Sequence, residues 1–251
     1  MPTKTVKTDD TIKIFENKKH DKRIHICYNQ DATGSPITED DVIKIAFIRI
    51  HNRFQSPNHP HIPNFVELNR YLVKNASQEI QNHMEVILNN IETDEQIWLK
   101  QIIDTLKKAG IIAFTVERHL HGNVHHYTQS TPKLPTKEQF DISFAGLIYI
   151  KEADLEVLLG HPCYNLNQND LDEIQTKMNQ VLDLHDQYLN GEVYDILISN
   201  CQETEFNACT EFYGIDTSIE SFKDMKNEPY WDFIQDELPE ETLNPEDWEE
   251  I

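Results

Sequence analysis

Residues 169–190, NDLDEIQTKMNQVLDLHDQYLN, form the longest helical pattern in the chain. Leu171, Ile174, Met178, Val181, His185 and Tyr188 recur at spacings of 3, 4, 3, 4 and 3, one face of a helix with 3.6 residues per turn. At 100° per residue, Asp172, Glu173, Asp183 and Asp186 are assigned to the opposite, polar face. Gly191 is placed to stop the helix. Beyond it, Glu192–Ser199 and Glu205–Tyr213 read as two strands, and Asp216–Met225 as a short helix capped by Asp216 or Thr217.

Toward the N-terminus, Lys151–Leu159 reads as a short helix broken at Gly160–Pro162, and the apolar run Ile142–Ile150 as a strand. Ile111–Leu120 and Val124–Thr128 flank His121-Gly122-Asn123 as a hairpin, with a proline-containing loop at Ser130–Pro135. Asn64–Lys74, Ala76–Ile91 and Thr93–Ala109 carry helical patterns, the last with Gly110 in C-cap position. Ser56–Pro63, with three prolines, is a loop. Thr38-Glu39-Asp40-Asp41 has the form of a helix start, and Val42–Phe54 is read as the helix it opens. A strand is expected at Arg23–Tyr28 and a turn at 32–36, within an otherwise polar N-terminal stretch. The fold class that follows is α+β: a helical N-terminal part packed with a small antiparallel sheet, a long amphipathic helix and an acidic C-terminal tail. The segments are 1–110, mainly helical; 111–226, α+β; and 227–251, a frayed acidic tail.

The chain has 251 residues, 38% of them hydrophobic, enough to bury a core in one or two domains. Its formal charge is −22, from 22 Lys and Arg against 44 Asp and Glu. Residues 1–151 are nearly neutral, with 19 bases and 18 acids, whereas 152–251 hold 26 acids and three lysines. The final 25 residues contain ten acids and no base. Such a balance opposes direct binding to phosphate backbones and suits a basic partner. No apolar run reaches membrane-spanning length and no signal peptide opens the chain, so a cytoplasmic protein without a membrane segment is expected. The four cysteines, Cys27, Cys163, Cys201 and Cys209, form no CxxC pair and are expected as free thiols, with Cys201 and Cys209 able to face each other across a strand turn.

Glycine-rich phosphate-binding motifs are absent, and no cofactor is expected. The one cluster with metal-ligand chemistry is His119 and His121 on one strand face with His125 and His126 across the turn. Glu117 or the His161/Cys163 pair would complete it. Its spacing matches no zinc motif.

His119-Leu-His-Gly122, Phe140-Asp-Ile-Ser-Phe-Ala-Gly-Leu-Ile-Tyr149, Tyr188-Leu-Asn-Gly-Glu-Val-Tyr194 and Asn207-Ala-Cys-Thr-Glu-Phe-Tyr-Gly214 occur in this order. Over about residues 114–216 the series resembles a family of bacteriophage and mobile-element proteins. That family has a His-Ser/Gly step, Trp-Asp-Ser before Gly-Phe-Ile-Tyr, a Tyr-Leu-x-Gly-Asp-Val-Tyr turn and a Ser-Cys-x-Gly-Phe-Tyr-Gly end. Phe140 stands where the family has Trp, and Glu211 where it has Gly. The resemblance implies a phage-type origin and assigns no activity.

The function expected is a non-enzymatic counter-defence protein. It would bind and block a basic, nucleic-acid-binding host protein through carboxylates that mimic nucleic acid. The residues expected to carry this are Asp170, Asp172, Glu173, Asp183 and Asp186 on the long helix, with Asp232, Asp236 and Glu237 from the tail. An alternative of another class is a metal-dependent enzyme built on His119, His121 and His125; a third is a dimeric structural or adaptor protein, a homo-oligomer that assembles through 64–109.

Overall fold

The structure, a computed structural model, describes residues 11–29, 36–38, 40–48, 54–55, 62–90, 95–121, 123–129, 142–161, 166–203, 206–214 and 231–251. The class is α+β, with helices and two antiparallel five-stranded sheets. The chain divides into two compact units, 35–186 and the pair of segments 1–34 and 187–251. The division falls neither at 110 nor at 226, because strand pairing ignores those positions.

In the unit 35–186 the elements are β3 (Lys44–Ile48), β4 (Phe54–Gln55), α1 (Phe65–Val73), α2 (Gln78–Asn89), α3 (Glu95–Lys108), β5 (Ile111–His121), β6 (Asn123–Gln129), β7 (Ile142–Lys151), α4 (Leu155–Leu159) and the start of α5 (Gln168–Leu189). The sheet order is β4-β3-β7-β5-β6. Both faces of the sheet are apolar. Ala46, Ala113, Leu147 and Tyr149 pack with Leu68, Met84, Leu99, Ile102 and Leu106 of α1, α2 and α3. Ile45, Ile112, Val116, Ala145, Ile148 and Ile150 pack with Leu155 and with Ile174, Met178 and Leu182 of α5. Period-2 alternation would put Ala145 with Leu147. A register shift opposite Val116 and Glu117 inserts one residue into β7, so Ala145 and Ile148 share a face. Gly146, at φ 143°, supplies the backbone conformation that this bulge needs.

This unit corrects one expected helix. Val42–Phe54 holds β3, not a helix, because Ile45 and Ala46 are buried on opposite faces of the sheet. A strand covered on both sides reads as a continuous apolar run and loses its alternation. The Thr38 cap chemistry is spent on a turn instead: Thr38 Oγ1 donates to Asp41 (3.1 Å) and accepts from the Asp40 N–H (3.3 Å). The three N-terminal helices stand close to where they were expected. Asn64 and Ser77 cap α1 and α2 by accepting from Glu67 N (2.8 Å) and Ile80 N (3.4 Å).

In the other unit the elements are β1 (Thr11–Asn17), β2 (Lys22–Tyr28), the end of α5, β8 (Val193–Ser199), β9 (Phe206–Tyr213), α6 (Trp231–Glu237) and β10 (Glu249–Glu250). The order is β10-β1-β2-β8-β9, all antiparallel. The first and last of the described strands are therefore neighbours. Gly191, at φ 75°, ends α5 as expected: its N–H donates to Tyr188 O (3.1 Å) and that of Glu192 to Gln187 O (2.8 Å). The C-terminal segment is not frayed. Ile234, Leu238 and Trp248 are buried with Phe15, Ile24, Ile26, Tyr194, Ile196 and Ile198 of the sheet. Trp248 Nε1 donates to Thr242 O (2.9 Å). The helix expected at Asp216–Met225 lies outside the described residues. Among the described residues, no helix is long and apolar enough to cross a membrane.

Candidate functional site

The acids expected to act together on α5 occupy different environments. Asp172 and Glu173 are exposed; Asp172 accepts from Gln168 Nε2 (2.8 Å) and Glu173 pairs with Lys177 (3.6 Å). Asp170 is partly buried and serves the start of the helix, accepting the Asn167 N–H (2.9 Å), with His161 Nε2 at 3.9 Å. Asp183 is exposed, and partial desolvation together with the negative Asp186 nearby raises its carboxyl above the usual carboxylate range.

Asp186 is the correction. It is 4% exposed, not on the solvent face. The buried line of α5 runs through Ile174, Met178, Leu182 and Asp186, at four-residue steps, and so passes to one side of Val181 and Tyr188. A carboxylate is held there because it has donors to satisfy. Among the described residues β6 is an edge strand, and its outward N–H groups face no neighbouring strand there. Asp186 accepts from both the backbone N–H and Nδ1 of His126. Two residues on, Asn179 Oδ1 accepts from the Thr128 N–H (3.0 Å) and Oγ1 (2.9 Å), and Gln175 Nε2 donates to the same Oγ1 (3.0 Å). Two polar side chains of α5, Asp186 and Asn179, thus cap N–H groups of one sheet edge, and Gln175 braces the Thr128 hydroxyl beside them. His185, the next residue back from Asp186, is buried with its ring 6.4 Å from that of His126. Burial, with the neighbouring His126, pushes its imidazole down to about 4.

The strands of the histidine hairpin pair, with Glu117 opposite Tyr127 and His119 opposite His125. Glu117, offered as a metal ligand, is instead buried and accepts from the Tyr127 hydroxyl (2.9 Å). Burial, and then this carboxylate, push that phenol up to about 12. Among the described residues, no group of three His, Cys, Asp or Glu is placed to hold a metal ion. The side chain of His121, and Cys163, lie outside the described residues. Cys27, Cys201 and Cys209 are free thiols. Cys209 opposes Ile196 rather than Cys201, which sits in the turn after β8.

The unit 1–34 with 187–251 holds nine Lys and Arg against 23 Asp and Glu, a balance of −14. Its C-terminal acids divide into two sets. Glu250, Glu249 and Asp247 are answered by Lys13, Lys18 (3.7 Å) and Lys19 (3.0 Å) of the first hairpin. Asp232 and Asp236 of α6, together with Glu240 and Glu241, are exposed and make no ion pair among the described residues. Glu237, exposed on the same helix, accepts from Asn207 Nδ2 of β9 (2.5 Å). The pairing of tail and first hairpin was not legible from charge counts, because its members lie some 230 residues apart.

Comparison of the chain with protein-family models, with curated proteins and with solved structures finds no match.

Proposed function

We propose that this chain is a binding protein that engages a basic partner through the acidic surface of its C-terminal segment. The observation that carries the proposal is the anchoring of that segment. Ile234, Leu238 and Trp248 are buried, so Asp232, Asp236, Glu240 and Glu241 stand on a folded support and not on a free tail. Carboxylates carried on an ordered backbone present a defined field to a cationic surface, and binding need not order that backbone. The finer reading is that the partner is a nucleic-acid-binding host protein, blocked in the bacterial cytoplasm by a counter-defence protein of phage or mobile-element origin. It is supported by the charge and by the sequence resemblance alone.

Asp172, Glu173 and Asp183 of α5 form a second candidate patch, from which burial removes Asp186. The two patches are separable by experiment. Cationic proteins from a bacterial lysate are captured on the full chain at low salt, and the retained species is retested in purified form. Asp232→Lys, Asp236→Lys and Glu240→Lys together are expected to slow association by more than tenfold, roughly the reach of electrostatic steering, and to flatten its salt dependence. Unchanged association rates in that variant would remove the C-terminal surface as the interface; the matching Asp172→Lys, Asp183→Lys variant then tests α5.

A further inference from the structure

An edge strand presents unpaired N–H and C=O groups, and proteins normally cover them. Here β10 covers β1 at Phe15 and Glu16, and the side chains of Asp186 and Asn179 cover β6. β9, the other edge of its sheet, is treated differently. The Asn29 N–H donates to Val193 O (2.9 Å) on the β2 side of β8, and the Gly214 N–H donates to Glu192 O (2.9 Å) on the β9 side. Backbone groups alternate between sides along an antiparallel strand, so those of Ile196 and Ile198 face β9. Cys209 and Asn207, opposite them, direct their own N–H and C=O groups back to β8. Ala208, between the two, turns both of its groups outward. Asn207 and Ala208 are exposed, and the outward groups of Ala208 have no partner strand among the described residues.

The charge that α6 brings beside this edge is acidic. The hydrogen bond from Asn207 to Glu237 brings the C-terminal end of α6, with Asp236 and Glu237, alongside it.

We infer that the Ala208 edge of β9 takes up an extended, Lys- or Arg-rich segment of the partner as an added strand. The backbone of Ala208 supplies the hydrogen bonds that fix the register. Asp236 and Glu237 meet the cationic side chains that project to one side at every second position. This rests on the acidic-surface reading above and gives it a mode of recognition.

The probe is a terminally blocked octapeptide of alternating Lys and Val, titrated into the full chain, beside the same peptide N-methylated at every second residue. Ala208→Pro removes the outward N–H while leaving the ladder bonds of Asn207 and Cys209 in place. The octapeptide is expected to bind the native chain and to slow amide exchange at Ala208. Affinity is expected to fall by about tenfold or more for Ala208→Pro and for the methylated peptide, the loss of one or two well-formed hydrogen bonds. No binding, equal affinity for the two peptides, or unslowed exchange at Ala208 would each overturn strand addition. If Ala208→Pro does not fold by circular dichroism, the methylated peptide decides on the native chain. Binding that is lost in Asp232→Lys, Asp236→Lys, Glu240→Lys but indifferent to backbone methylation would leave the acidic surface standing and remove the edge. The converse, loss on methylation with no effect of charge reversal, would keep the edge and remove the acidic surface.

Discussion

Asp172 and Asp186 sit on one helix and carry the same charge, yet their removal is expected to have opposite consequences. Asp172 is exposed and its carboxylate answers a neighbouring glutamine, so Asp172→Ala is expected to change stability by less than about 0.5 kcal/mol. Asp186→Ala takes the acceptor from a buried N–H and a buried imidazole of His126, and is expected to cost about 3 kcal/mol or more. Urea unfolding of the two variants checks this; equal midpoints would mean that the cap on β6 contributes nothing. His185 adds a pH dependence. Its folded-state value of about 4 lies below the ordinary histidine value of about 6.5, so the unfolded chain binds the proton first. Stability is therefore expected to be complete above pH 6.5 and to fall as the pH drops toward 4, by at most about 3 kcal/mol at 1.36 kcal/mol per pH unit. Thermal midpoints of native chain and His185→Gln between pH 7 and 4.5 test it: the variant should lose less stability over that interval.

At the scale of elements, the acidic tail is the instructive case. Trp231, Ile234 and Leu238 stand at spacings of 3 and 4, the same helical signal that identified α5, but ten acids in 25 residues make the segment read as solvated. Trp248 pins it to the sheet, and Trp248→Ala is expected to cost about 3–5 kcal/mol, the usual range for a buried aromatic. Denaturant unfolding followed by circular dichroism measures this, and a change under about 1 kcal/mol would mean the segment is only loosely attached. The sequence-level signals that held were local ones. The spacing in α5, the stop at Gly191, the caps Asn64 and Ser77 and the hairpin of β5 and β6 each depend on residues within a turn or two. The signals that misled were set by distant partners. β3 lost its alternation because it is covered on both faces, and β1 was unread because only Phe15 among its apolar residues is fully buried while Lys13 and Glu16 answer residues elsewhere. Asp186 was placed on the wrong face because its burial depends on the edge of β6, sixty residues away.

For the whole molecule, charge segregated along the sequence becomes less segregated in space, since lysines of the first hairpin meet acids in and just before the last strand. The two effects of salt on this arrangement oppose each other. Screening weakens the clasp, but exposed ion pairs contribute only about 0.2–1 kcal/mol each, and there are three of them. Screening also relieves self-repulsion in a unit with a balance of −14, where acids repel across many pairs at once. The Debye length falls from about 30 Å at 0.01 M to about 3 Å at 1 M, so low salt leaves that repulsion almost unscreened across the unit. Repulsion is therefore expected to dominate, and the thermal midpoint should rise between 10 mM and 500 mM KCl. Lys13→Gln with Lys19→Gln removes two of the opposing pairs, and the rise should then be steeper. A midpoint that falls with salt in the native chain, and is flat in the double variant, would mean that the clasp between the first and last strands outweighs the repulsion.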